Sequence, residues 1–400
     1  MKICNIYTAI FILLCSSLIV PSIVAEEAVN DFNSTDDALF DLKVRNYMRT
    51  CQMPSLTAIV IKNDSVVWSK AYGYSHLYLR KKASLDTIYM LGSISKTVTA
   101  TAIMQLYEKG LLRLDDNISE YLSYDIKNPN HPKINITFRM LLAHQSSIGE
   151  NYMNLIFSYP YPDDADEWIK ENLLPNGRKY KKSYWKDYAP GENINYSSVG
   201  YMLLGLLVEK ISNQSIEEYC RENIFVPLEM ENTSVRIAYF NGKNLAKPYF
   251  PLVGNIYLPL FNYDLNCAAA FGGLHTNIED ISHFLIAQMK NGTYKGVNIL
   301  NKSTVDLMQT VQYPDFKETF FGFDLQQCLG WMKMNISNEL YGGYNGGSFG
   351  YMCNMMIRYS DNTGVVFLAN GHFKRFPEYF RLKRANNFFD LGKLLLDKAG

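Results

Sequence analysis

Residues 87–98 read TIYMLGSISKTV, and the interpretation of the whole chain starts from this stretch. The apolar segment before Gly92 is typical of a buried strand, the glycine allows a sharp bend, and apolar residues recur at helical spacing through residues 98–107. The pattern predicts a buried helix that opens at Ser93. Residues three apart share one helix face, so we expect the Ser93 hydroxyl and the Lys96 amine within hydrogen-bonding distance.

This pair has the chemistry of an acylating serine. A serine hydroxyl is a weak nucleophile until a neighbouring group accepts its proton, and a lysine can accept that proton only when its pKa is lowered. The bare Ser-x-x-Lys pattern carries little weight, because roughly two accidental matches are expected in a chain of this length. The second match, from Ser183 to Lys186, lies in a lysine-rich segment that ends in the Pro190-Gly191 turn, and we interpret it as accidental.

Composition excludes several classes of protein. The chain is 48% hydrophobic, which is enough for a large core, and 39 basic residues balance 39 acidic ones. There is no basic block of the kind that binds nucleic acid, so no nucleic-acid partner is expected. The cysteines follow no metal-binding spacing, and we expect neither a metal ion nor an organic cofactor.

The N-terminus is predicted to be a removed secretory signal of residues 1–25, followed by an extension of residues 26–39. Lys2 precedes an apolar run of residues 9–24, and Ile23-Val24-Ala25 suits cleavage by signal peptidase. The alternative is an uncleaved membrane anchor, although the run is shorter than the roughly 20 residues that a bilayer span needs. The predicted destination is the exterior, the periplasm or the lumen of a secretory pathway.

Export bears on the cysteines and on glycosylation. Five cysteines follow residue 25 at irregular spacing, and they are either buried small hydrophobic residues or members of one or two disulfides. Ten Asn-x-Ser/Thr sequons occur where roughly four are expected. Either a glycoprotein or an asparagine-rich composition explains the excess.

The remaining pattern predicts one hydrolase domain over residues 40–390. A hairpin around Asn63-Asp64 and strands at 351–358 and 364–368 enclose a middle of amphipathic or buried helices. Strands at both ends predict an α/β (α+β) body, in which an antiparallel sheet is flanked by helices. An inserted all-helical lobe is expected over roughly residues 110–270, with a site in the cleft between sheet and lobe.

A second constellation is Tyr196-Ser197-Ser198, which precedes an apolar helix. A phenol whose pKa is lowered by a neighbouring ammonium can take the proton of a nucleophile and later return it to the leaving group. Combined with Ser93 and Lys96, Tyr196 becomes a candidate for that proton transfer.

These pieces together resemble the serine β-lactamase and penicillin-binding-protein superfamily, in particular the branch of class C β-lactamases, D-alanyl-D-alanine carboxypeptidases and related esterases. Residues 91–97 resemble the nucleophile motif of that branch, and residues 196–198 resemble its Tyr-x-Asn motif. Further matching stretches follow in the same order, at residues 136–146, 225–230, 271–276 and 329–331. The similarity extends from about residue 40 to about residue 371 and implies a β-lactamase/transpeptidase-like fold.

The resemblance implies an acyl-enzyme mechanism that needs no cofactor. Ser93 would attack the carbonyl of a small-molecule or peptide acyl donor, and Lys96 and Tyr196 would share its proton, with the identity of the base left open. Backbone N–H groups of Ser93 and of Gly347 would hold the oxyanion.

Three histidines lie near the matching stretches. His144 resembles a conventional triad base, but no acidic residue is evident to orient it, and the corresponding residue of the family is structural. His275 and His283 flank a predicted helix start, and we interpret them as surface or capping residues.

Two departures from the family pattern concern substrate binding. The third motif, Lys-Thr-Gly or His-x-Gly, corresponds here to Tyr344-Asn345-Gly346, followed by Gly347, and tyrosine brings a hydrogen bond without a positive charge. Ser198 stands where class C enzymes carry asparagine. These five residues are the candidate substrate-binding and oxyanion residues.

Two functional hypotheses follow. The first is a serine hydrolase that acts through Ser93 with esterase, D-peptidase or β-lactamase-type activity. The second, motivated by the missing cation at Tyr344, is a weakened or inactive family member that serves as a binding or assembly protein.

Overall fold

The computed structural model of the chain describes residues 35–149, 161–252, 256–315, 318–320, 323–336, 338–371 and 382–399. The predicted signal segment and most of the predicted extension lie outside these residues. Helix α1 (Thr35–Cys51) already covers the end of the extension, so helical structure starts before the predicted boundary at residue 40. Within the described ranges, every helix is too short or too polar to cross a membrane.

The described residues form a mixture of strands and helices. The strands, in chain order, are β1 Ser55–Lys62, β2 Ser65–His76, β3 Lys81–Lys82, β4 Tyr89–Met90, β5 Tyr249–Pro251, β6 Tyr257–Pro259, β7 His275–Thr276, β8 Thr293–Tyr294, β9 Val297–Asn298, β10 Glu318–Phe320, β11 Phe323–Gln327, β12 Met332–Ile336, β13 Glu339–Ser348, β14 Tyr351–Arg358 and β15 Thr363–Asn370. The α-helices after α1 are α2 Ser95–Glu108, α3 Phe138–Leu142, α4 Ala165–Leu173, α5 Ser198–Ser212, α6 Ile216–Cys220, α7 Ala269–Gly272, α8 Ile278–Met289, α9 Lys302–Met308 and α10 Leu382–Leu396.

A nine-stranded antiparallel sheet forms the body, in the order β10-β11-β12-β13-β14-β15-β1-β2-β3. The two ends of the chain meet where β15 pairs with β1. Alternate residues of β15 face opposite layers: Gly364 faces α8, and Phe367 packs edge-on against Phe388 of α10. Because helices cover both faces, β15 is buried along its whole length. The predicted antiparallel sheet flanked by helices is confirmed.

The predicted hairpin between β1 and β2 is confirmed. Asn63 and Asp64 have φ values of 50° and 70°, which are both left-handed. Two-residue hairpin loops favour this conformation because its twist matches that of the flanking strands, and asparagine and aspartate tolerate it.

The helical lobe lies between β4 and β7 in the chain. Helices α2, α5 and α7 pack against one another at its centre. A Cβ added at Gly205 of α5 would lie 2.5 Å from the Ala270 Cβ, so glycine allows α5 to approach α7 closely. One small hairpin, made of β5 and β6, lies inside the range that was predicted to be helical.

The interpretation of His275 as a surface or capping residue is wrong. His275 is fully buried in β7 and pairs with Met90 of β4. This strand pairing holds the segment before Gly92 in place. Burial lowers the pKa of His275 to about 4. His283 is half-buried, and its Nδ1 lies 2.9 Å from the Leu228 carbonyl oxygen.

All five cysteines of the described residues are buried and free. The interpretation as small hydrophobic residues is therefore confirmed, and these cysteines form no disulfide. Burial raises the pKa of the Cys267, Cys328 and Cys353 thiols to about 12.

Strand β13 passes directly against the turn that precedes α2. A Cβ added at Gly346 would lie 1.8 Å from the Leu91 carbonyl oxygen, and one added at Gly92 would lie 2.7 Å from the Gly347 nitrogen. Gly92 also has a φ of 56°, which L-residues with side chains rarely adopt. The glycines therefore allow the strand and the turn to come into contact.

Replacing Gly346 with alanine is expected to lower the free energy of unfolding by about 1–3 kcal/mol or more, because strand and turn must separate to admit the methyl group. Gly347→Ala is the matched control, since its added Cβ would meet no atom within 4 Å. We expect that variant to stay within about 1 kcal/mol of the wild type. Urea unfolding measures both, and equal losses would contradict the packing described.

Candidate active site

Ser93 and Lys96 lie at the start of α2, as predicted. Ser93 is the middle residue of a 3-10 turn over Gly92–Ile94, which runs directly into the helix at Ser95. One turn later, the Lys96 Nζ donates a hydrogen bond of 3.0 Å to the Ser93 Oγ. Ser93 is half-buried, so part of the residue is accessible to solvent.

Lys96 is completely buried, with an exposed fraction of 0%. Its Nζ also donates to the Phe271 carbonyl oxygen at 2.9 Å. The rings of Tyr196, Phe271 and Tyr201 surround it, with centroids at 4.9, 5.3 and 5.8 Å from Nζ. These dipoles and ring faces compensate part of the cost of removing an amine from water.

Tyr196 approaches Ser93 from the helical lobe. Its hydroxyl donates a hydrogen bond of 2.8 Å to the Ser93 Oγ. The next residue, Ser197, caps α5 by accepting from the Gly200 N–H at 3.0 Å, and this cap fixes the backbone that carries the phenol. The serine oxygen thus lies within proton-transfer distance of both the amine and the phenol.

His144 is buried behind the phenol and links three elements of the site. Its Nδ1 accepts a hydrogen bond of 3.1 Å from the Ser197 N–H, so the neutral ring carries its proton on Nε2. That Nε2 lies 3.1 Å from the Tyr344 hydroxyl and therefore donates to it. The ring packs against Tyr196 at a centroid distance of 4.4 Å.

The charge state of His144 follows from its surroundings. Burial, and secondarily the positive charge of Lys96, hold the pKa of His144 well below its ordinary value of 6.5. Both ring nitrogens are occupied by Ser197 and Tyr344. His144 is therefore a neutral structural group, consistent with its interpretation from the sequence.

Strand β13 carries the predicted third motif. Tyr344 is buried, whereas the Asn345 side chain accepts a hydrogen bond of 2.6 Å from Asn354 of β14. Neighbouring side chains of a strand face opposite sides, so the Asn345 side chain lies on the face of the sheet opposite Tyr344. Only the backbone of Asn345 is left to face the cleft.

The backbone of Gly347 is oriented by the hairpin of β13 and β14. Ser348 pairs with Tyr351 across a two-residue loop, and a pair that closes such a loop is hydrogen-bonded. Pairs alternate along an antiparallel ladder, so the next pair, Gly347 with Met352, is not hydrogen-bonded. The Gly347 N–H therefore points away from β14, toward the turn that carries Ser93, which is the direction an oxyanion donor requires.

The remaining candidates lie as follows. Ser198 is the first residue of α5 and is buried. Ser183, of the second Ser-x-x-Lys match, is exposed in a short 3-10 turn over Lys182–Tyr184. In the described residues, no cluster of His, Cys, Asp or Glu is arranged to hold a metal ion.

Sequence reasoning missed two contacts of the site. The Phe271 carbonyl, which accepts from Lys96, lies in a stretch that matches the family, but a backbone oxygen has no signature of its own in a sequence. The Tyr201 ring lies beside Lys96, and its hydroxyl donates to the Leu142 carbonyl oxygen at 2.8 Å. Its position one helical turn after Ser198 could have indicated that contact.

The chain is similar to known proteins over most of its length. A family model described as Beta-lactamase matches residues 40–385. Protein flp of Staphylococcus aureus (strain MW2) is 26% identical over 333 residues, which cover 82% of this chain and 62% of that protein. N-acetylmuramyl-L-alanine amidase of Bacillus subtilis (strain 168) is 25% identical over 310 residues, which cover 70% of this chain and 67% of that protein. The chain thus spans less than two thirds of the staphylococcal relative.

Solved structures show the same fold. The octameric penicillin-binding protein homologue from Pyrococcus abyssi is similar over 89% of this chain and 78% of that chain, with a TM-score of 0.71 and 26% identity. D-alanine carboxypeptidase AmpC from Burkholderia cenocepacia is similar over 91% of this chain and 100% of that chain, with a TM-score of 0.67 and 18% identity. The β-lactamase/transpeptidase-like fold predicted from the sequence is confirmed.

Replacing His144 with glutamine is expected to reduce the slope of stability against pH between about pH 5 and 6.5, leaving the contribution of His275, whose pKa burial also lowers. The folded chain keeps this residue neutral, while the unfolded chain binds a proton there below pH 6.5. The wild type therefore loses up to about 1.4 kcal/mol per pH unit from His144 as the pH falls through this range. Urea unfolding at several pH values measures the slope.

Tyr201→Phe is the control, because it removes a buried hydrogen bond to Leu142 without removing a group that titrates in this range. Tyr201→Phe should lower the free energy of unfolding at every pH and leave its slope against pH unchanged. A His144→Gln slope equal to that of the wild type would show that His144 is not held neutral.

Proposed function

This chain belongs to the Beta-lactamase family, and we propose that it is a serine hydrolase that forms an acyl-enzyme on Ser93. The observation that supports this most strongly is the placement of the Ser93 Oγ 3.0 Å from the Lys96 Nζ and 2.8 Å from the Tyr196 hydroxyl. A nucleophile with a proton acceptor at hydrogen-bonding distance is the arrangement that covalent catalysis requires.

In the proposed acylation step, the Ser93 oxygen bonds to the carbonyl carbon of the donor. Its proton passes to Tyr196 or Lys96, whichever is deprotonated at that moment, and then to the leaving group as the bond to the carbonyl carbon breaks. The negative charge that develops on the carbonyl oxygen accepts hydrogen bonds from the N–H groups of Ser93 and Gly347. In the second step, water attacks the carbonyl carbon of the acyl-serine. Its proton passes by way of Tyr196 or Lys96 to the Ser93 oxygen, and the acid is released.

Similar proteins support a hydrolase that acts on amide bonds. One relative is named as an amidase, and one structural neighbour as a D-alanine carboxypeptidase. For this chain we propose esterase, D-peptidase or β-lactamase-type activity. A binding or assembly role without turnover is the second candidate, favoured by the tyrosine at position 344.

A fluorophosphonate probe is expected to label the chain with one equivalent, at Ser93, because that hydroxyl lies at hydrogen-bonding distance from both the Lys96 amine and the Tyr196 phenol, whereas Ser183 lies in an exposed turn. Ser93→Ala should abolish labelling, and Ser183→Ala, the matched variant in the second motif, should leave it unchanged. Intact-mass measurement and peptide mapping give the stoichiometry and the position. A folded chain that never becomes labelled would favour the binding or assembly role.

Tyr196→Phe is expected to slow the labelling of Ser93 by about 10²–10⁴-fold, since it removes a proton-transfer group and keeps the ring. Tyr219→Phe is the control, because Tyr219 is a buried tyrosine outside the site and its hydroxyl accepts a hydrogen bond of 3.3 Å from the Lys109 amine. Stopped-flow or gel-based labelling rates measure both. A Tyr196→Phe rate within threefold of the wild type would remove Tyr196 from the proton path.

A further inference from the structure

The end of the cleft that carries the third motif is uncharged at Tyr344. A phenol carries no positive charge in either protonation state. The Tyr344 oxygen already accepts a hydrogen bond from the His144 Nε2 at 3.1 Å. Tyr344 lies on β13 three residues before Gly347, whose N–H points toward Ser93. The uncharged Tyr344 is therefore on the same strand as the proposed oxyanion donor, close to where the carbonyl of a substrate would react.

Two nearby groups of the described residues, His144 and Lys96, do not supply a positive charge to Tyr344. His144 is fully buried, with Nδ1 committed to the Ser197 N–H, and burial holds its pKa well below the ordinary value. The amine of Lys96 is directed to the Ser93 Oγ and to the Phe271 carbonyl oxygen. The pair of His144 and Tyr344 is therefore a neutral unit.

Aromatic side chains lie on both sides of the nucleophile. Phe271, whose carbonyl holds Lys96, is half-buried, and its ring lies edge-on to that of Tyr161 at 6.4 Å. At the far end of β13, the Tyr263 hydroxyl lies 2.7 Å from the Ser348 Oγ and donates to the Phe349 carbonyl oxygen at 2.9 Å. Phe349, two residues after Gly347 in the chain, is 40% exposed and offers apolar surface to solvent.

We infer that the site selects acyl donors whose leaving group carries no carboxylate, namely neutral esters, thioesters or amides with an apolar acyl group. This inference rests on the proposed function. Tyr344 is buried, so a leaving-group carboxylate at this end of the cleft would lose hydration without gaining an ion pair with position 344. A neutral leaving group loses far less on entry, and an apolar acyl group gains from contact with the aromatic rings.

Two thioesters that differ in one group test this selectivity. Both have a benzoylglycyl acyl group, and the leaving group is thioglycolate in one and thioglycolamide in the other. In each case the acyl–sulfur bond breaks, the acyl–Ser93 bond forms, the thiol leaves with the serine proton, and water releases benzoylglycine. The two substrates share the bond that breaks and differ in the charge of the leaving group. Because thioglycolate is also the poorer leaving group, each kcat/KM is divided by the rate constant for the reaction of the same thioester with hydroxylamine.

The wild type is expected to show at least a tenfold higher kcat/KM for the thioglycolamide. Tyr344→Lys should narrow or reverse this ratio, and Tyr344→Phe, which changes no charge, should keep it. If the lysine variant does not fold, the wild-type ratio after division by the uncatalysed reactivity decides the outcome.

Equal hydrolysis of the two thioesters, or a preference for the carboxylate, would overturn the inference and leave the proposed function intact, since Ser93 would still turn over. A third outcome is that the fluorophosphonate labels Ser93, but neither thioester is hydrolysed and neither slows the labelling. In that case the inference fails and the proposed function stands. If Ser93 neither labels nor turns over, both fail.

Discussion

The burial of the Lys96 amine beside the Ser93 oxygen is the constraint on which the rest of the site depends. A buried amine is destabilising unless its donors are satisfied, and here the partners come from separate segments: the Ser93 Oγ, the Phe271 carbonyl oxygen and the rings of Tyr196 and Tyr201. These partners meet only when α2, α5 and α7 pack together. Folding of the lobe and assembly of the proposed catalytic centre are therefore one event.

The same amine sets the electrostatics around it. Its positive charge adds to burial in keeping His144 neutral, and the neutral His144 fixes the Tyr344 hydroxyl by a hydrogen bond. The sheet contributes backbone to the site, because Gly346 and Gly92 allow β13 to touch the turn of Ser93. A cleft built in this way supplies hydrogen bonds from peptide groups and phenols and has no cation at position 344.

The local parts of this arrangement could be predicted from the sequence, and the parts that depend on distant pairing could not. Ser93 and Lys96 are three residues apart, so helix geometry alone brings them together. His144 and Tyr344 are 200 residues apart, and no local pattern indicates their hydrogen bond. The burial of His275 depends on a ladder with Met90, and the orientation of the Asn345 side chain depends on which face of β13 meets the lobe. The family resemblance supplied Tyr196 and Gly347, which spacing alone does not connect to Ser93.

The most direct test of the central claim is a crystal structure of the chain with Ser93 bonded to a phosphonate that mimics the tetrahedral intermediate. The account predicts a phosphonyl oxygen about 3 Å from the backbone nitrogens of both Ser93 and Gly347, with the Lys96 amine and the Tyr196 hydroxyl still at hydrogen-bonding distance from the Ser93 oxygen. A phosphonyl oxygen that points into solvent, with the Lys96 amine or the Tyr196 hydroxyl turned away from Ser93, would contradict it.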